Sequence, residues 1–300
     1  MRADPFYSLS LSSSLDAITS RQDNLTSQLS SGLAVSNPGD DPLAASQAVS
    51  LSSGIARDDA YVQSATSLEG RMQTSDSALG SVVSEITSAI ALATGGLNGT
   101  LSSTNLADVG TQLAAIRDQV VSLANTSYAG SYLFSGTSTA TKPFAVDTTT
   151  SPATTTYSGD ESSTYAATPG GQKIAVGLPG SQIFSASGSD VLGSLNALIA
   201  DFASGTVSNT AQTDMNALSS GLTQVTSQRA VLGASLSTLE QTSTYAQTDE
   251  TNLKATQSSL VSADTASIAT ELSTSETQGQ ALMSVMSNLG SKSLFDYMQE

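Results

Sequence analysis

Apolar residues recur along most of this chain at alternating gaps of three and four, the spacing that lines one side of a helix. The first stripe is Leu11, Leu15, Ile18, Gln22, Leu25 and Leu29. Gly32 and the run Ser36-Asn37-Pro38-Gly39-Asp40-Asp41-Pro42 end it, because proline and glycine do not sustain a helix. Pro42 suits the first turn of a second helix, with Asp40 and Asp41 at its positive end. That helix carries Ala48, Leu51, Ile55, Asp58, Val62, Ala65 and Met72, then Leu79, Val82, Ile86, Ile90 and Ala93. A turn is predicted at Gly95-Gly96-Leu97-Asn98-Gly99. A third helix over 105–127 follows with Leu106, Val109, Leu113, Ile116, Val120 and Leu123.

The texture changes at Tyr128. Residues 128–202 hold 8 of the 14 aromatics and 143–179 hold 4 of the 7 prolines, with short apolar bits between glycines. That pattern predicts a small β-rich insert with many turns. The threonines at 148–150 and 154–156 read as loop. Helix returns after Asp190, an N-cap residue type. Met215, Leu218, Leu222, Val225, Arg229, Leu232, Leu236 and Leu239 then keep strict three-four spacing, and no proline follows Pro179. A continuous helix over 212–262 would be roughly 75 Å long. A compact ball of this chain length has a radius of gyration of only about 19 Å, so the expected shape is elongated. A last stripe runs Ile268, Leu272, Ser275, Gly279, Leu282, Met286 and Leu289.

The expected fold is therefore mainly α: an elongated bundle of N- and C-terminal helical segments around a small β-rich inserted domain. The divisions read from the pattern are 1–40, 41–129, 130–188, 189–262 and 263–300. The two ends mirror each other as thin apolar seams among Ser, Thr, Gln and Ala. Neither carries enough apolar area to be a stable helix alone. Segments 1–40 and 263–300 are therefore expected to be conditionally ordered assembly helices, with Leu11, Leu15, Ile18, Leu25 and Leu29 facing partners at one end and Ile268, Leu272, Leu282, Met286 and Leu289 at the other.

Composition narrows the function. The chain contains no histidine, no cysteine and no tryptophan. The commonest general base near neutral pH and the usual zinc ligands are thereby missing, as are thiol chemistry and disulfides. A net charge of −16, with no two basic residues adjacent, excludes the basic patch that nucleic acid requires. The same sign argues against docking on an anionic membrane. No stretch is expected to reach the length of a transmembrane helix, and the start, Met1-Arg2-Ala3-Asp4-Pro5-Phe6, lacks the layout of a cleaved signal peptide.

The candidate chemical motifs are weak. Asp40-Asp41 and Asp58-Asp59 lack the spacing and central glycine of a calcium loop, so they read as helix-start or solvated charge. Gly95–Gly99 is not followed by Gly-Lys-Ser/Thr, and no lysine has a serine three residues before it. Asn24, Asn98 and Asn125 open glycosylation-type triplets that a Ser/Thr-rich chain produces by chance. No catalytic residue, metal or cofactor is expected. The chain reads as a non-enzyme.

Helical ends around a β-rich middle resemble the flagellin superfamily, and particular residues resemble its hook–filament junction family (hook-associated protein 3). Leu29-Ser30-Ser31-Gly32, followed by Val35-Ser36-Asn37-Pro38-Gly39-Asp40-Asp41-Pro42-Leu43-Ala44-Ala45-Ser46, is similar to that family's N-terminal signature. Its distinguishing residues here are Asn37, Pro38, Asp40, Asp41 and Pro42. The stretches Gly130–Gly136, Tyr157–Asp160 and Asp190–Leu198, and the closing Ser293-Leu294-Phe295-Asp296-Tyr297-Met298, are similar to it as well. The family usually carries basic residues after the Ser-Ser-Gly, where this chain has Leu33 and Ala34. The resemblance implies a structural subunit at the hook–filament junction. It implies contact with further copies, with the neighbouring hook-associated junction protein and with filament flagellin. It also implies type III export without a cleaved signal peptide, and a cytoplasmic chaperone on the C-terminal segment. The alternatives are a filament flagellin, which has a different turn in place of Asp-Asp-Pro, and a Ser/Thr-rich adhesin, which should show tandem β repeats.

Overall fold

The computed structural model describes residues 5–297, with side chains described from 9 to 288. It forms two compact units, Met1–Arg57 with Asp249–Glu300, and Asp58–Thr248. The helices are α1 (Pro5–Ser31), α2 (Pro42–Leu97), α3 (Ser103–Ala124), α4 (Gly180–Phe184), α5 (Val191–Ala203), α6 (Ala211–Val261) and α7 (Thr265–Tyr297). Four two-stranded antiparallel hairpins lie between α3 and α5. The fold is mainly helical with a small strand-containing insert.

In the larger unit the seams read from the sequence become the core. On α2, Ala65, Met72, Leu79, Val82, Ile86 and Ala93 are fully buried. On α6 the burial falls every seventh residue, at Leu218, Val225, Leu232 and Leu239, while Met215, Leu222, Arg229 and Leu236 flank them half-exposed. Arg229 occupies an apolar slot of the heptad because it has a dedicated partner. Its Nε and Nη2 donate to the two carboxylate oxygens of Asp76 at 2.8 and 3.0 Å. The guanidinium lies over Gly80, where an added Cβ would sit 3.3 Å from it.

The turn predicted at residues 95–99 begins later than expected. Helix α2 continues through Gly95 and Gly96 to Leu97. The reason is tertiary: the Phe202 ring of α5 lies on Gly96, where a Cβ would come within 2.7 Å of it. Glycine here is a seat for an aromatic ring instead of a helix breaker. Ser102 caps α3 by accepting from Asn105 N, and Asp190 caps α5 by accepting from Gly193 N. Helices α3 and α5 pack against each other, with Gly110 letting the backbones approach.

The hairpins are β1–β2 (Ser127–Tyr128, Ser131–Tyr132), β3–β4 (Phe144–Asp147, Thr154–Tyr157), β5–β6 (Thr164–Ala167, Lys173–Gly177) and β7–β8 (Ser185–Ala186, Ser189–Asp190). Threonines 154–156, expected as loop, are strand β4 paired with Ala145, Val146 and Asp147. Their β-branched side chains suit a half-exposed strand once a partner exists. Phe134 and Phe144 each meet Phe184 edge-to-face, with Tyr157 tilted on Phe144, and Gly180 leaves room for the Phe144 ring. Asn125 at the end of α3 brackets Phe144, donating to its carbonyl at 3.0 Å and accepting from its N–H at 2.9 Å. That occupied amide leaves the Asn125 triplet as a structural feature. A buried polar relay joins α3, α5 and β4: Arg117 donates to Asn196 at 3.4 Å, and Asn196 to Thr155 at 3.0 Å.

One composition-based expectation is corrected. Helix α2 does contain a window long and apolar enough to cross a membrane. Its Leu79, Val82, Ile86, Ala89 and Ala93 are instead fully buried against protein. The apolar density arises because α2 supplies a large share of the core of its unit.

Candidate assembly interface

The smaller unit brings the two ends of the chain together. Helices α1 and α7 pack against each other. Arg21 pairs with Glu271 at 3.1 Å, and Ile18 and Gln22 lie against Gly279, so the helices run antiparallel. Gly279 is buried, and a Cβ there would lie 3.4 Å from Gln22 and 3.5 Å from Ile18.

Three short segments set this pairing. Gly32, with φ +70°, ends α1 in the left-handed conformation that favours glycine, and its N–H donates to Gln28 O. The chain then crosses the α6–α7 connection. Leu33 forms an antiparallel bridge with Ser262, Ala34 N donates to Val261 O at 2.8 Å, and Ala263 N donates to Gly32 O at 3.0 Å. Gln28 Nε2 adds a bond to Ala34 O. These ties at Leu33 and Ala34 use backbone groups, which do not depend on side-chain charge.

The Asn37–Pro42 signature has a local explanation. The Asp40 carboxylate accepts from Asn37 N at 2.9 Å, Ser36 N at 3.1 Å and the Ser36 hydroxyl at 3.2 Å. The backbone bond from Asn37, then that from Ser36, hold its pKa below the usual aspartate value. Asp41 caps α2 by accepting from Leu43 N and Ala44 N, both at 3.0 Å, with Pro42 as the first helical residue. Asp264 repeats the device for α7, accepting from Ala266 N and Ser267 N. Side by side, α2 and α6 are tied by Gln257, which donates to Ala48 O and Ser52 Oγ. Asn37, Pro38, Asp40, Asp41 and Pro42 are all exposed.

Within the α1–α7 seam, only Leu25 and Ile268 are buried among the large apolar residues expected to face partners. Leu11, Leu15, Ile18, Leu272, Leu282 and Met286 are half-buried, and Leu29 is 39 % exposed. Leu289 lies outside the residues whose side chains are described. The centre of the seam is small and polar. Ser275 is buried with its Oγ lacking a hydrogen-bond partner. A cavity of about 160 Å³ lies beside it, lined by Arg21, Thr270, Glu271, Thr274 and Gln278. Leu9, Leu43, Val49 and Met283 project further apolar surface at more than half exposure. The large apolar residues described along this seam are thus mostly half-buried, unlike the fully buried core of the larger unit.

Sequence spacing identifies the stripes but not the ties between them. Nothing in the pattern indicates the Leu33–Ser262 bridge or the Gln257 contacts, because their acceptors lie far away in sequence and most of them are backbone carbonyls. Asp58, which sits in the α2 stripe, is buried, and Asp59 accepts from Gln63. Among the described residues, no group of three acidic side chains is placed to hold a metal ion.

Comparison with known proteins adds an independent line. Residues 6–139 match the model of the bacterial flagellin N-terminal helical region, and residues 215–298 that of the C-terminal helical region. The chain is 37% identical over 161 residues to flagellar hook-associated protein 3 of Salmonella typhimurium, covering 53% of this chain and 49% of that protein. It is 40% identical over 119 residues to flagellar hook-associated protein 3 of Escherichia coli, covering 39% and 38%. The matches thus span half or less of those relatives. In fold, it is similar to flagellar hook-associated protein-3 of Legionella pneumophila, with TM-score 0.63 at 12% identity, covering 70% of this chain and 98% of that one. FlgL of Xanthomonas campestris gives TM-score 0.59 at 19% identity, covering 69% and 98%.

Proposed function

This chain belongs to the flagellin family, and on that premise we propose that it is a structural subunit of the bacterial flagellum that joins hook to filament. The observation carrying this reading is the 37% identity over 161 residues with a hook-associated protein 3. That match favours the junction layer over a filament flagellin. The reading assigns the chain no catalysis and no cofactor, in keeping with a sequence that has neither histidine nor cysteine.

The geometry suggests how such a subunit would assemble. Copies associate through the terminal seams, where Leu11, Leu15, Ile18, Leu25 and Leu29 of α1 and Ile268, Leu272, Leu282 and Met286 of α7 exchange partial cover within one chain for fuller cover between chains. Fully burying an aliphatic side chain contributes about 1.5–3 kcal/mol, and ordering each residue's backbone costs about 1–2 kcal/mol. With two large side chains buried along the seam, the pairing inside one chain is marginal, and a layer of copies supplies what is missing.

The partners on this reading are further copies, the neighbouring hook-associated protein and filament flagellin, with neither nucleic acid nor membrane involved. The chain acts outside the cell, and a cytoplasmic chaperone shields the α7 segment before export. Export through a narrow channel requires an unfolded passenger, and a chain without disulfides does not resist threading.

The test is deletion of the gene followed by electron microscopy. We expect hooks without filaments and flagellin shed into the medium, both reversed by restoring the gene. Filaments of ordinary length on the deleted cells would refute the junction role.

A further inference from the structure

Along the α1–α7 seam, the α1 stripe reads Leu11, Leu15, Ile18, Gln22, Leu25 and Leu29, and the α7 stripe Ile268, Leu272, Ser275, Gly279, Leu282 and Met286. Three of these residues are not large and apolar: Gln22, Ser275 and Gly279. The structure brings the three together. A Cβ on Gly279 would lie 3.4 Å from Gln22 Nε2. The helices are antiparallel, so one turn back along α7 is one turn forward along α1, which sets Ser275 level with Gln22 and Leu25. Scattered, each exception would have leucines across the seam from it. Gathered in one layer, they interrupt both stripes at the same height.

The layer is weakly held. Ser275 is 3 % exposed with no hydrogen-bond partner for its Oγ, an arrangement that costs stability. The cavity of about 160 Å³ beside it deprives the neighbouring atoms of packing contacts. The Arg21–Glu271 pair crosses the seam nearby, but both side chains are half-exposed or more, and solvent screens them. The seam on either side is unequal. Toward the α6–α7 connection, Leu25 and Ile268 are buried, and backbone bonds at Gly32 and Ala34 tie the helix ends. Toward the chain ends, none of the described large apolar side chains is buried, Leu11, Leu15, Leu282 and Met286 all being half-covered.

We propose that the Gln22–Ser275–Gly279 layer divides the α1–α7 pair into two halves that open separately. The outer half, residues 9–18 with 280–288, parts while the inner half, residues 25–31 with 265–272, stays closed. Taken with the self-assembly reading above, on which this step rests, Leu11, Leu15, Leu282 and Met286 are the first seam residues uncovered for a neighbouring copy.

The test is residue-resolved amide exchange on the free full-length protein and its variants. In the wild-type chain, exchange should step up by about tenfold or more on crossing the layer, in both helices, where fraying alone gives a smooth rise toward the ends. Ser275→Leu fills the cavity and removes the unpaired hydroxyl. It should slow the amides of 9–18 and 280–288 by about tenfold or more and change those of the inner half by less than about threefold. The slowing on α1 separates this effect from a gain in helix propensity confined to α7. Ser273→Leu makes the same replacement at an exposed position off the seam and should leave α1 unchanged. If Ser275→Leu fails to fit and the chain loses helix, Gln22→Leu decides, because it is close in size to the residue it replaces. It should slow residues 280–288 by about fivefold or more. The proposal is overturned if exchange rises with no step at the layer, or if Ser273→Leu slows α1 as Ser275→Leu does. It is equally overturned if a well-folded Ser275→Leu, or Gln22→Leu in its place, leaves the outer half of the opposite helix unchanged. Fast exchange without a step removes only the division into halves, whereas a seam already slow in the free wild-type chain also removes the exchange of cover between copies. The deletion phenotype remains a separate test of the junction role.

Discussion

Ala129 has φ 49°, the one positive value at a non-glycine among the described residues. With Gly130 at φ +80° it forms the two-residue turn of the β1–β2 hairpin, where both central residues need φ above zero. An L-residue with a Cβ is disfavoured there by about 1–2 kcal/mol, which glycine avoids at some entropic cost in the unfolded chain. Ala129→Gly should therefore stabilise the larger unit by up to about 1 kcal/mol, read from urea unfolding. Gly96 has the opposite sensitivity. Gly96→Ala should destabilise by about 1–3 kcal/mol, because the new methyl meets the Phe202 ring, despite alanine's better helix propensity. Asp40 supplies a pH dependence. Its folded pKa is depressed by the N–H donors of Asn37 and Ser36, so its contribution is present above the unfolded aspartate value and lost as pH falls through the folded one. Amide exchange at Ser36 and Asn37 should accelerate over that acidic window relative to neighbouring amides, and Asp40→Asn should remove the acid-dependent part.

At the scale of elements, Arg229 and Asp76 show how one polar pair sits in an apolar seam. Both are partly exposed, with side-chain exposures of 42% and 33%, so solvent screens them. A double-mutant cycle with Arg229→Ala and Asp76→Ala should return a coupling of about 0.5–1 kcal/mol. By contrast, Leu218→Ala, at a fully buried position, should cost about 2–5 kcal/mol. Helix starts and stripes were legible in the sequence because three-four spacing and cap residues act locally: Pro42 starts α2 and Asp190 caps α5. The readings that failed depended on distant partners. Gly96 is helical because of Phe202, and Thr154–Thr156 form a strand because of Ala145–Asp147. Of the candidate interface, spacing indicated the two stripes. That Leu25 and Ile268 are buried while Leu29 stays exposed depends on the antiparallel register, which neither stripe encodes alone.

At the scale of the whole molecule, the buried core and the half-covered terminal seams lie in different units. The larger unit holds nearly all of the fully buried side chains, whereas the smaller one closes on Leu25, Ala44 and Ile268 around a polar centre. Leu15→Ser combined with Leu272→Ser should leave the unfolding midpoint of the larger unit unchanged and abolish swimming, since both residues lie in the half-buried seam. The most direct measurement is residue-resolved amide exchange on the free full-length protein. The amides of residues 9–31 and 265–288 should exchange orders of magnitude faster than those around Leu218, Val225, Leu232 and Leu239, and become protected only in assembled protein. Terminal amides as slow as the core's in the free monomer would contradict assembly through these seams, because a seam already stable within one chain has no need of a partner.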